Sequence, residues 1–438
     1  MLYYIIRPLT YLGLLFFCKR IYLSNAQSIP KDRPVILACN HPTAFLEPCI
    51  IASFTKRPLY FLVRGDFFTH PFYKKLMFRL HLIPIYRRTH ANFRELKQNL
   101  DLMDTVAYKL NENIVLMILV EGSASIKKGL RPIQKGVARL AFDVYEKYGR
   151  TDVEIIPVGA NFDDPTRFRV TPMINFGKSI ALKDYAERYK ENKNRAIKDL
   201  LENVHAGMRK NIIHIEVESD EILVEQQLIL HRNEQVSTRF PIVCRTSKRL
   251  KKEIEIVEKI NRMPSKEKQV LKQKTKLYFE ILKQKKIKDQ ALFEKVKWWR
   301  IPIFIFGMPF FLLGAIFNFL PPCLGNSIAQ RKVKRIQYLM PVAWGIGNLS
   351  YFLYLLLLLL FAGFLKSWAA VLFVMSLPLL AYFSVVYYEE FNAWRAKRQW
   401  EKPTASEREQ LRNLRQAATL WRTSGIAIRS RPNIQIER

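Results

Sequence analysis

Short apolar stretches alternate with helix-like stretches between about Val35 and Phe162. The short stretches have the length and composition of buried strands, and they are Val35–Cys39, Leu59–Val63, Leu82–Tyr86, Ile114–Val120 and Val153–Val158, with Val170–Phe176 as a further candidate. Between them, Leu96–Asn111 and Lys135–Tyr148 repeat apolar residues every three or four positions, which is typical of helices packed by one face. This alternation predicts an α/β domain with a mostly parallel sheet flanked by helices.

The pattern changes after this region. Leu182–Arg209 is helical in pattern and charged, and Lys248–Lys297 is strongly basic. Apolar residues in the basic stretch recur at helical spacing, which predicts helices with one apolar face. Two interpretations remain open for these helices: they pack on the preceding domain, or they contact anionic lipid directly.

Three apolar segments near the C-terminus, Ile301–Leu320, Val342–Phe364 and Ser367–Tyr388, predict a membrane-embedded helical region. The loop at 331–335 and the tail at 389–438 are both basic, so the positive-inside rule places both on the cytoplasmic side with the α/β domain. This arrangement requires a spanning hairpin over 342–388 and a re-entrant segment over 301–320. Gly307, Pro309 and Gly314 would interrupt the re-entrant segment, provided protein shields its backbone.

The N-terminal stretch Met1–Cys18 is apolar and aromatic, and no small-residue cleavage site follows it. It is short for a membrane span, so we expect an interfacial helix within residues 1–25, with Tyr3, Tyr4 and Tyr11 at the lipid headgroups. A single uncleaved span is the alternative. The predicted organisation is therefore an interface helix at 1–25, the α/β domain at 26–240, a basic helical segment at 241–300, a membrane region at 301–388 and a basic cytoplasmic tail at 389–438.

The formal net charge of +33 indicates anionic partners, and the long apolar segments favour anionic membrane lipid and exclude nucleic acid. The apolar fraction of 49% is sufficient for a sizeable core. Five cysteines are scattered without a C-x-x-C pair, so neither a disulfide framework nor a metal site is predicted.

A histidine and a carboxylate follow the first buried strand, in Asn40-His41-Pro42-Thr43-Ala44-Phe45-Leu46-Glu47-Pro48. A neutral imidazole at this position can take a proton from a hydroxyl, and a carboxylate can orient the ring and stabilise the imidazolium. His41 and Glu47 are therefore the candidate catalytic pair. We expect Pro42 at the first position of the next helix and Asn40 as acceptor for its free N–H groups.

Two more polar clusters follow strand candidates. Glu121, Gly122 and Ser123 come directly after Ile114–Val120, and basic residues that include Lys135 follow them. Arg87 and Arg88 come after Ile83-Pro84-Ile85-Tyr86, and guanidinium groups suit a bidentate grip on phosphate. In open α/β sheets, ligands bind at the carboxyl ends of the strands, so these clusters are candidate substrate-binding residues.

The order of these blocks resembles the four-block pattern of the glycerolipid acyltransferase superfamily, which includes glycerol-3-phosphate and 1-acylglycerol-3-phosphate acyltransferases. The blocks are N-H-P-x-x-x-x-E-P, I-P-I-Y-R-R, V-E-G-S with L-R-P-I-Q-K-G, and I-I-P-V-G, all between about Ile36 and Phe162. The sequence departs from the pattern in three ways. The acid lies one residue further from His41 than in the commonest H-x4-D spacing, and it is Glu rather than Asp. V-E-G-S also replaces the usual P-E-G-T.

The resemblance implies a role for each matched residue. His41 would be the general base, and Glu47 would stand in for the family's Asp. Arg87 would bind the acceptor phosphate with Arg88 as helper, while Glu121 and Gly122 would contribute to acceptor binding. Pro157 would lie near the acyl-donor site.

The implied reaction is the transfer of a fatty acyl group from a thioester of coenzyme A or acyl carrier protein to the hydroxyl of glycerol-3-phosphate or 1-acylglycerol-3-phosphate in phospholipid synthesis. It would need no bound cofactor and no metal. Two alternatives remain: an acyltransferase for another lipid acceptor, such as an amino-acid lipid or a lipid A precursor, and a non-catalytic membrane scaffold with the same fold.

Overall fold

The computed structural model of the chain describes residues 1–65, 70–85, 103–235, 239–293 and 300–420. Within these residues, nine strands form one sheet. The strands are β1 (Ile21–Ser24), β2 (Val35–Cys39), β3 (Leu59–Arg64), β4 (Leu82–Ile85), β5 (Val115–Leu119), β6 (Glu154–Phe162), β7 (Pro172–Phe176), β8 (Ile180–Ala181) and β9 (Val243–Cys244).

The strand order in the sheet is β4-β3-β5-β2-β6-β7-β1-β9, with β8 paired to β6. Pairing is parallel throughout except where β6 meets β7 and β8. The mostly parallel sheet predicted from the sequence is therefore confirmed. β2 has the predicted bounds, whereas β6 continues to Phe162, beyond the predicted end at Val158.

The first seven described helices accompany the sheet. They are α1 (Leu2–Phe17), α2 (Leu46–Phe54), α3 (Pro71–Arg79), α4 (described over 103–111), α5 (Gly136–Tyr148), α6 (Lys183–Glu191) and α7 (Lys193–Arg209). Each residue of β2 is fully buried because both faces of the sheet are covered. Ile36 and Ala38 pack in the core that includes α5 and α7, while Leu37 and Cys39 pack in the core that includes α1 and α2. The alternation of side chains along a strand explains this division.

The remaining described helices are α8 (Glu221–Glu234), α9 (Lys248–Asn261), α10 (Ser265–Gln284), α11 (Arg300–Asn318), α12 (Leu320–Lys332), α13 (Ile336–Phe364), α14 (Trp368–Glu401) and α15 (Ala405–Ala417). Among them α11, α13 and α14 are long and apolar enough to span a membrane. The predicted C-terminal region of apolar helices is confirmed, and it indicates association with a membrane.

The described helix α11 continues through Gly307, Pro309 and Gly314, and the helical run is interrupted at Phe319. A Cβ on Gly314 would overlap the Ser384 hydroxyl oxygen of α14, and one on Gly307 would lie 3.2 Å from the Tyr387 ring. These glycines therefore permit close helix packing rather than breaking the helix. The re-entrant path of 301–320 stays a prediction.

The N-terminal segment differs from the expectation for residues 1–25. Helix α1 ends at Phe17, and Ile21–Ser24 joins the sheet between β7 and β9. Tyr3 is buried: its hydroxyl accepts a hydrogen bond from the Leu59 N–H (3.1 Å), and its ring stacks on His81. Tyr3 therefore cannot sit at the headgroups as predicted, because its ring fills the core beside β3. Tyr4 and Tyr11 are exposed.

The chain divides into two compact units that do not follow the predicted boundaries at 240, 300 and 388. One unit contains residues 1–214, 239–250 and 319–374. The other contains the described residues within 215–238, 251–318 and 375–438. Composition read along the chain cannot show this division, because each unit is assembled from separated stretches.

The second unit shows that part of the predicted basic tail is folded. Its Arg415 side chain is 4% exposed, and it donates to Asp289 Oδ1 (2.7 Å) and to Glu234 Oε1 (2.6 Å). The Tyr278 hydroxyl donates to the same Asp289 oxygen at 2.5 Å. Helix α15 packs on α10, so the described residues up to 420 belong to a helical core. The predicted boundary at 388 falls inside α14, because apolar helix and charged helix are one continuous element there.

Candidate active site

Two strand ends bring the candidate chemistry together. β2 and β5 are parallel neighbours with Cys39 opposite Leu119, so the loops that follow the two strands both begin at the carboxyl-terminal end of the sheet. The His41 N–H donates to Glu121 Oε2 (2.9 Å), and the His41 carbonyl accepts from the Ser125 N–H (2.9 Å). The loop after β2 and the loop after β5 are therefore joined directly at His41.

His41 and Glu47 form a pair in the structure. His41 Nδ1 lies 2.6 Å from Glu47 Oε1, with the His41 side chain 12% exposed and the Glu47 side chain fully buried. Thr43 supports the acid: its hydroxyl donates to Glu47 Oε2 and accepts from the Leu46 N–H (3.1 Å). Glu47 also lies in the first turn of α2, where the helix dipole stabilises a negative charge.

Two local expectations from the sequence are wrong. Helix α2 begins at Leu46, so Pro42 is not its first residue, because residues 42–45 form a bend before the helix. Asn40 does not accept from helix N–H groups. Its amide instead donates to the Ala160 carbonyl (2.9 Å) and accepts from the Ala160 N–H (2.7 Å) of β6. This paired contact fixes the end of β2 against β6 just before His41.

Glu121 is held from three directions. Besides the His41 N–H, its carboxylate accepts from the Arg131 N–H (2.8 Å) and from Arg131 Nη2 (2.9 Å). The Glu121 side chain is 3% exposed, and that of Arg131 is 33% exposed. Arg131 Nη1 also donates to the Ser123 hydroxyl (2.8 Å), and Nη2 donates to the Ser123 carbonyl. Arg131 therefore locks the Glu-Gly-Ser turn to the backbone of His41.

Gly122 is the turn residue of this motif. Its φ is +71°, which a residue with a Cβ rarely adopts. Its N–H donates to the Leu119 carbonyl (3.1 Å), which closes the turn directly after β5. The structure therefore assigns Gly122 a conformational task, the placement of Glu121 beside His41.

The other predicted site residues divide into three cases. Arg87 and Arg88 lie outside the described residues, so their role in phosphate binding stays a prediction. Lys135 is exposed directly before α5, and in the described part of the chain no contact joins it to His41 or Glu121. Pro157 is buried in the middle of β6, where a Cβ on Gly207 would come within 2.7 Å of its ring. The predicted place of Pro157 near the acyl donor stays untested.

The pair leaves one imidazole nitrogen available for chemistry. Because Nδ1 donates to the buried carboxylate, Nε2 carries the free lone pair and can accept a proton. The Cys39 thiol, at the end of β2, is an unsuitable nucleophile. Its burial raises its pKa well above the ordinary value, and the carboxylates of Glu47 and Glu121 raise it further. The arrangement suits base catalysis by His41 better than a covalent route through cysteine.

A shallow cleft opens beside the pair. Asn40 and Pro42, on either side of His41, line one part of it, and Lys127, Lys128 and Gly129 line another. The two lysines bring positive charge to this cleft, and Lys128 Nζ also donates to the Asp163 carbonyl (3.3 Å). Among the described residues, no group of three or more His, Cys, Asp or Glu side chains is arranged to hold a metal ion.

Three site features were not predicted from the sequence. The Thr43 support of Glu47 had a readable signal, a hydroxyl three residues before the helix start at Leu46. Arg131 was visible only as one cation in a basic run. Trp344 of α13 packs against Phe45 of the loop between β2 and α2, here called the His41 loop, with the ring centroids 6.5 Å apart. The two residues lie far apart in the sequence, so no local pattern could predict this contact.

Comparison with known proteins finds similarity to acyltransferases. A family model described as Acyltransferase matches residues 20–161. Glycerol-3-phosphate O-acyltransferase 1 of Saccharomyces cerevisiae is 27% identical over 136 residues, which cover 30% of this chain and 18% of that protein. A Schizosaccharomyces pombe protein named as an uncharacterized acyltransferase is 26% identical over 105 residues, which cover 24% of this chain and 16% of that protein.

The chain thus spans less than a fifth of the length of these two curated relatives. A solved structure, the 1-acyl-sn-glycerophosphate acyltransferase PlsC from Thermotoga maritima, aligns with 46% of this chain and 79% of that chain, with 13% identity and a TM-score of 0.34.

Proposed function

We propose that this chain, whose residues 20–161 match a family model described as Acyltransferase, is a membrane-bound O-acyltransferase of phospholipid synthesis. Its acceptor is the hydroxyl of glycerol-3-phosphate or of 1-acylglycerol-3-phosphate. Its donor is an acyl thioester of coenzyme A or of acyl carrier protein. The observation that carries the proposal is the 2.6 Å contact between His41 Nδ1 and the buried Glu47 carboxylate.

The proposed reaction needs only the groups at this edge of the sheet. His41 Nε2 takes the proton as the acceptor hydroxyl oxygen attacks the thioester carbonyl carbon. A C–O bond forms, the C–S bond breaks, and the proton held by His41 passes to the leaving thiolate. Glu47 remains ionised throughout and stabilises the imidazolium. No covalent intermediate on the protein is required.

The acceptor phosphate is proposed to bind beside His41. The cleft lined by Lys127 and Lys128 supplies positive charge within the described residues. The resemblance adds Arg87 with Arg88, and it gives Glu121 and Gly122 a part in acceptor binding. In the structure Glu121 is fully engaged with His41 and Arg131, so we propose that it shapes the acceptor site rather than holding the substrate alone.

The catalytic domain is proposed to face the cytoplasm, with a spanning hairpin at 342–388, a re-entrant segment at 301–320, and basic residues that hold anionic lipid. Labelling of Cys323 with a membrane-impermeant thiol reagent, after replacement of the other cysteines, tests this topology. We expect labelling from the cytoplasmic side. Labelling only from the outer side would contradict the re-entrant path.

An acceptor panel tests the proposed activity. The purified full chain in phospholipid nanodiscs is assayed with each acyl donor and with glycerol-3-phosphate, 1-acylglycerol-3-phosphate, a lyso amino-acid lipid and a lipid A precursor. We expect transfer to a phosphorylated glycerol acceptor, and replacement of Lys127 and Lys128 by Gln should raise its KM. Transfer to the amino-acid lipid or the lipid A precursor alone would overturn the acceptor assignment.

The panel also tests the scaffold alternative, because absence of transfer to every acceptor with either donor would favour it. The buried contact of Glu47 with His41 supports catalysis over that alternative, since a scaffold has no use for an oriented imidazole.

A further inference from the structure

The start of α13 lies against both loops that carry the candidate chemistry. Gln337 Nε2 donates to the carbonyl of Ala124 (3.3 Å), which follows the Glu-Gly-Ser turn. Two turns later, the Trp344 ring packs between Phe45 of the His41 loop and Phe17 of α1, at centroid distances of 6.5 and 6.0 Å. A long apolar helix therefore packs against both loops that carry the candidate chemistry.

The indole nitrogen of Trp344 is buried without a hydrogen-bond partner. The residue is 9% exposed, and its Nε1–H is the one buried side-chain nitrogen or oxygen in the described part of the chain that has no hydrogen-bond partner. Folded proteins contain few buried donors without a hydrogen-bond partner, because each one is destabilising. The neighbours Phe17, Phe45 and Met340 are apolar, so a water molecule there would find few other polar partners.

The surroundings limit the chemical class of an acceptor for this N–H. A phosphate or carboxylate would lose its hydration in an apolar pocket without a countercharge. A single neutral oxygen on an apolar chain fits, and the carbonyl of a fatty acyl group has that form. Beyond Trp344, α13 exposes Leu349, Leu353 and Leu356 on the side of the helix that faces away from Trp344, so the helix has an apolar outer face and a buried inner face that carries the indole.

We propose that the Trp344 indole N–H binds the carbonyl oxygen of a fatty acyl group on a substrate of the reaction. The inference rests on the proposed acyltransferase function. Two substrates supply this chemistry: the thioester of the donor and the ester of a 1-acyl acceptor. In either case α13 is a wall of the acyl-binding site as well as a membrane helix.

Replacing Trp344 with 3-benzothienylalanine tests the proposal, because this residue keeps the bicyclic ring and puts sulfur in place of the N–H. Trp344→Phe is the second variant. We expect the KM for the substrate whose carbonyl is bound to rise about 2- to 10-fold, the value of one neutral hydrogen bond. Trp368→Phe is the matched control, since Trp368 is 82% exposed, and it should leave both KM values unchanged.

The choice of acceptor separates the two sources. A rise in the donor KM with glycerol-3-phosphate as acceptor assigns the thioester carbonyl, because that acceptor has no acyl group. If the KM rises for the acylated acceptor and stays constant for the donor, the bound group is the ester carbonyl. Unchanged KM values for both substrates in the benzothienyl variant would overturn the proposal.

A binding measurement keeps the inference separate from the proposed activity. The 15N-indole resonance of Trp344, assigned through Trp344→Phe, is followed without turnover. The probes are a donor analogue with a ketone in place of the thioester, a thioether analogue that lacks the carbonyl, and 1-acylglycerol-3-phosphate alone. We expect a downfield shift of the N–H with a carbonyl-bearing probe and none with the thioether.

The two proposals fail in different ways. A shift in the absence of acyl transfer would refute the proposed activity and leave the carbonyl site standing. Normal transfer with no shift from any probe would refute the carbonyl site alone.

Discussion

Glu47 is the residue whose replacement tests the catalytic pair most finely. Its carboxylate is fully buried, lies 2.6 Å from His41 Nδ1 and accepts from the Thr43 hydroxyl. Glu47→Gln keeps the shape and removes the charge. Glu47→Asp keeps the charge and withdraws it by one carbon–carbon bond of about 1.5 Å. The two variants therefore separate the charge of the acid from its reach.

The expected magnitudes follow from this geometry. At an effective dielectric of about 20, an imidazolium and a carboxylate attract by about 6 kcal/mol at the observed separation of 2.6 Å. In the Asp variant the separation becomes about 4 Å, which is beyond hydrogen-bond range and lowers the attraction to about 4 kcal/mol. The difference of about 2 kcal/mol corresponds to about a 30-fold loss of rate. Loss of the charge in Glu47→Gln should cost about 10²- to 10⁴-fold.

The assay is the steady-state kcat of acyl transfer in nanodiscs, with thermal unfolding measured for each variant. Glu253→Gln is the matched control, since Glu253 is also fully buried and paired with an arginine in the other compact unit. We expect this control to lower the unfolding temperature and leave kcat near that of the wild type. An Asp variant as fast as the wild type, or a Gln variant within about threefold of it, would refute the reasoning on reach and charge.

Three further predictions concern the framework of the site. Arg131→Ala removes the side chain that holds Glu121, which should lower the free energy of unfolding by about 1.5–3 kcal/mol and raise the acceptor KM. Arg131→Lys should recover little of the stability or of the acceptor affinity, because lysine lacks the forked guanidinium that contacts Glu121 and Ser123. Full recovery in the Lys variant would contradict this bidentate role. Gly122→Ala places a residue with a Cβ in the left-handed region of backbone conformation and should lower the free energy of unfolding by about 1–2 kcal/mol. Gly136→Ala is the control: a Cβ at the start of α5 meets open space, so this change should be neutral or stabilising. Equal effects of the two changes in denaturant unfolding would refute the conformational argument. The raised pKa of Cys39 keeps its thiol protonated at pH 8, so we expect mass spectrometry to find no iodoacetamide adduct on it. Cys39→Ala should retain acyl transfer. An acyl adduct on Cys39 would contradict direct transfer from the donor to the acceptor.

The sheet could be predicted because its strands are buried on both faces. Continuous apolar runs such as Val35–Cys39 are typical of such strands, and the helical stretches between them predict parallel pairing. The strand Ile21–Ser24 and the edge strand Val243–Cys244 that pairs with it could not be predicted, because both are short and lie beside helical patterns. Their place in the sheet depends on pairing between residues more than 200 positions apart along the chain.

The site could be predicted as far as local spacing reaches. The end of β2 places His41, and the end of β5 places Glu121, so two neighbouring parallel strands bring both to one edge of the sheet. The contact of Glu47 with His41 depends on the bend before α2. The sequence placed the start of this helix at Pro42, about one turn before its position in the structure at Leu46. The packing of Trp344 on the His41 loop arises from tertiary structure alone.

The central claim is that His41 removes the proton from the acceptor hydroxyl, and a comparison of His41→Ala with wild type tests it most directly. Acyl transfer to glycerol-3-phosphate and to 1-acylglycerol-3-phosphate is measured with both donors, and His205→Ala serves as the control on helix α7. We predict that His41→Ala folds and enters the membrane normally and loses about 10²- to 10⁴-fold of kcat, while the control retains its rate. Transfer by His41→Ala at the rate of the wild type would contradict the account.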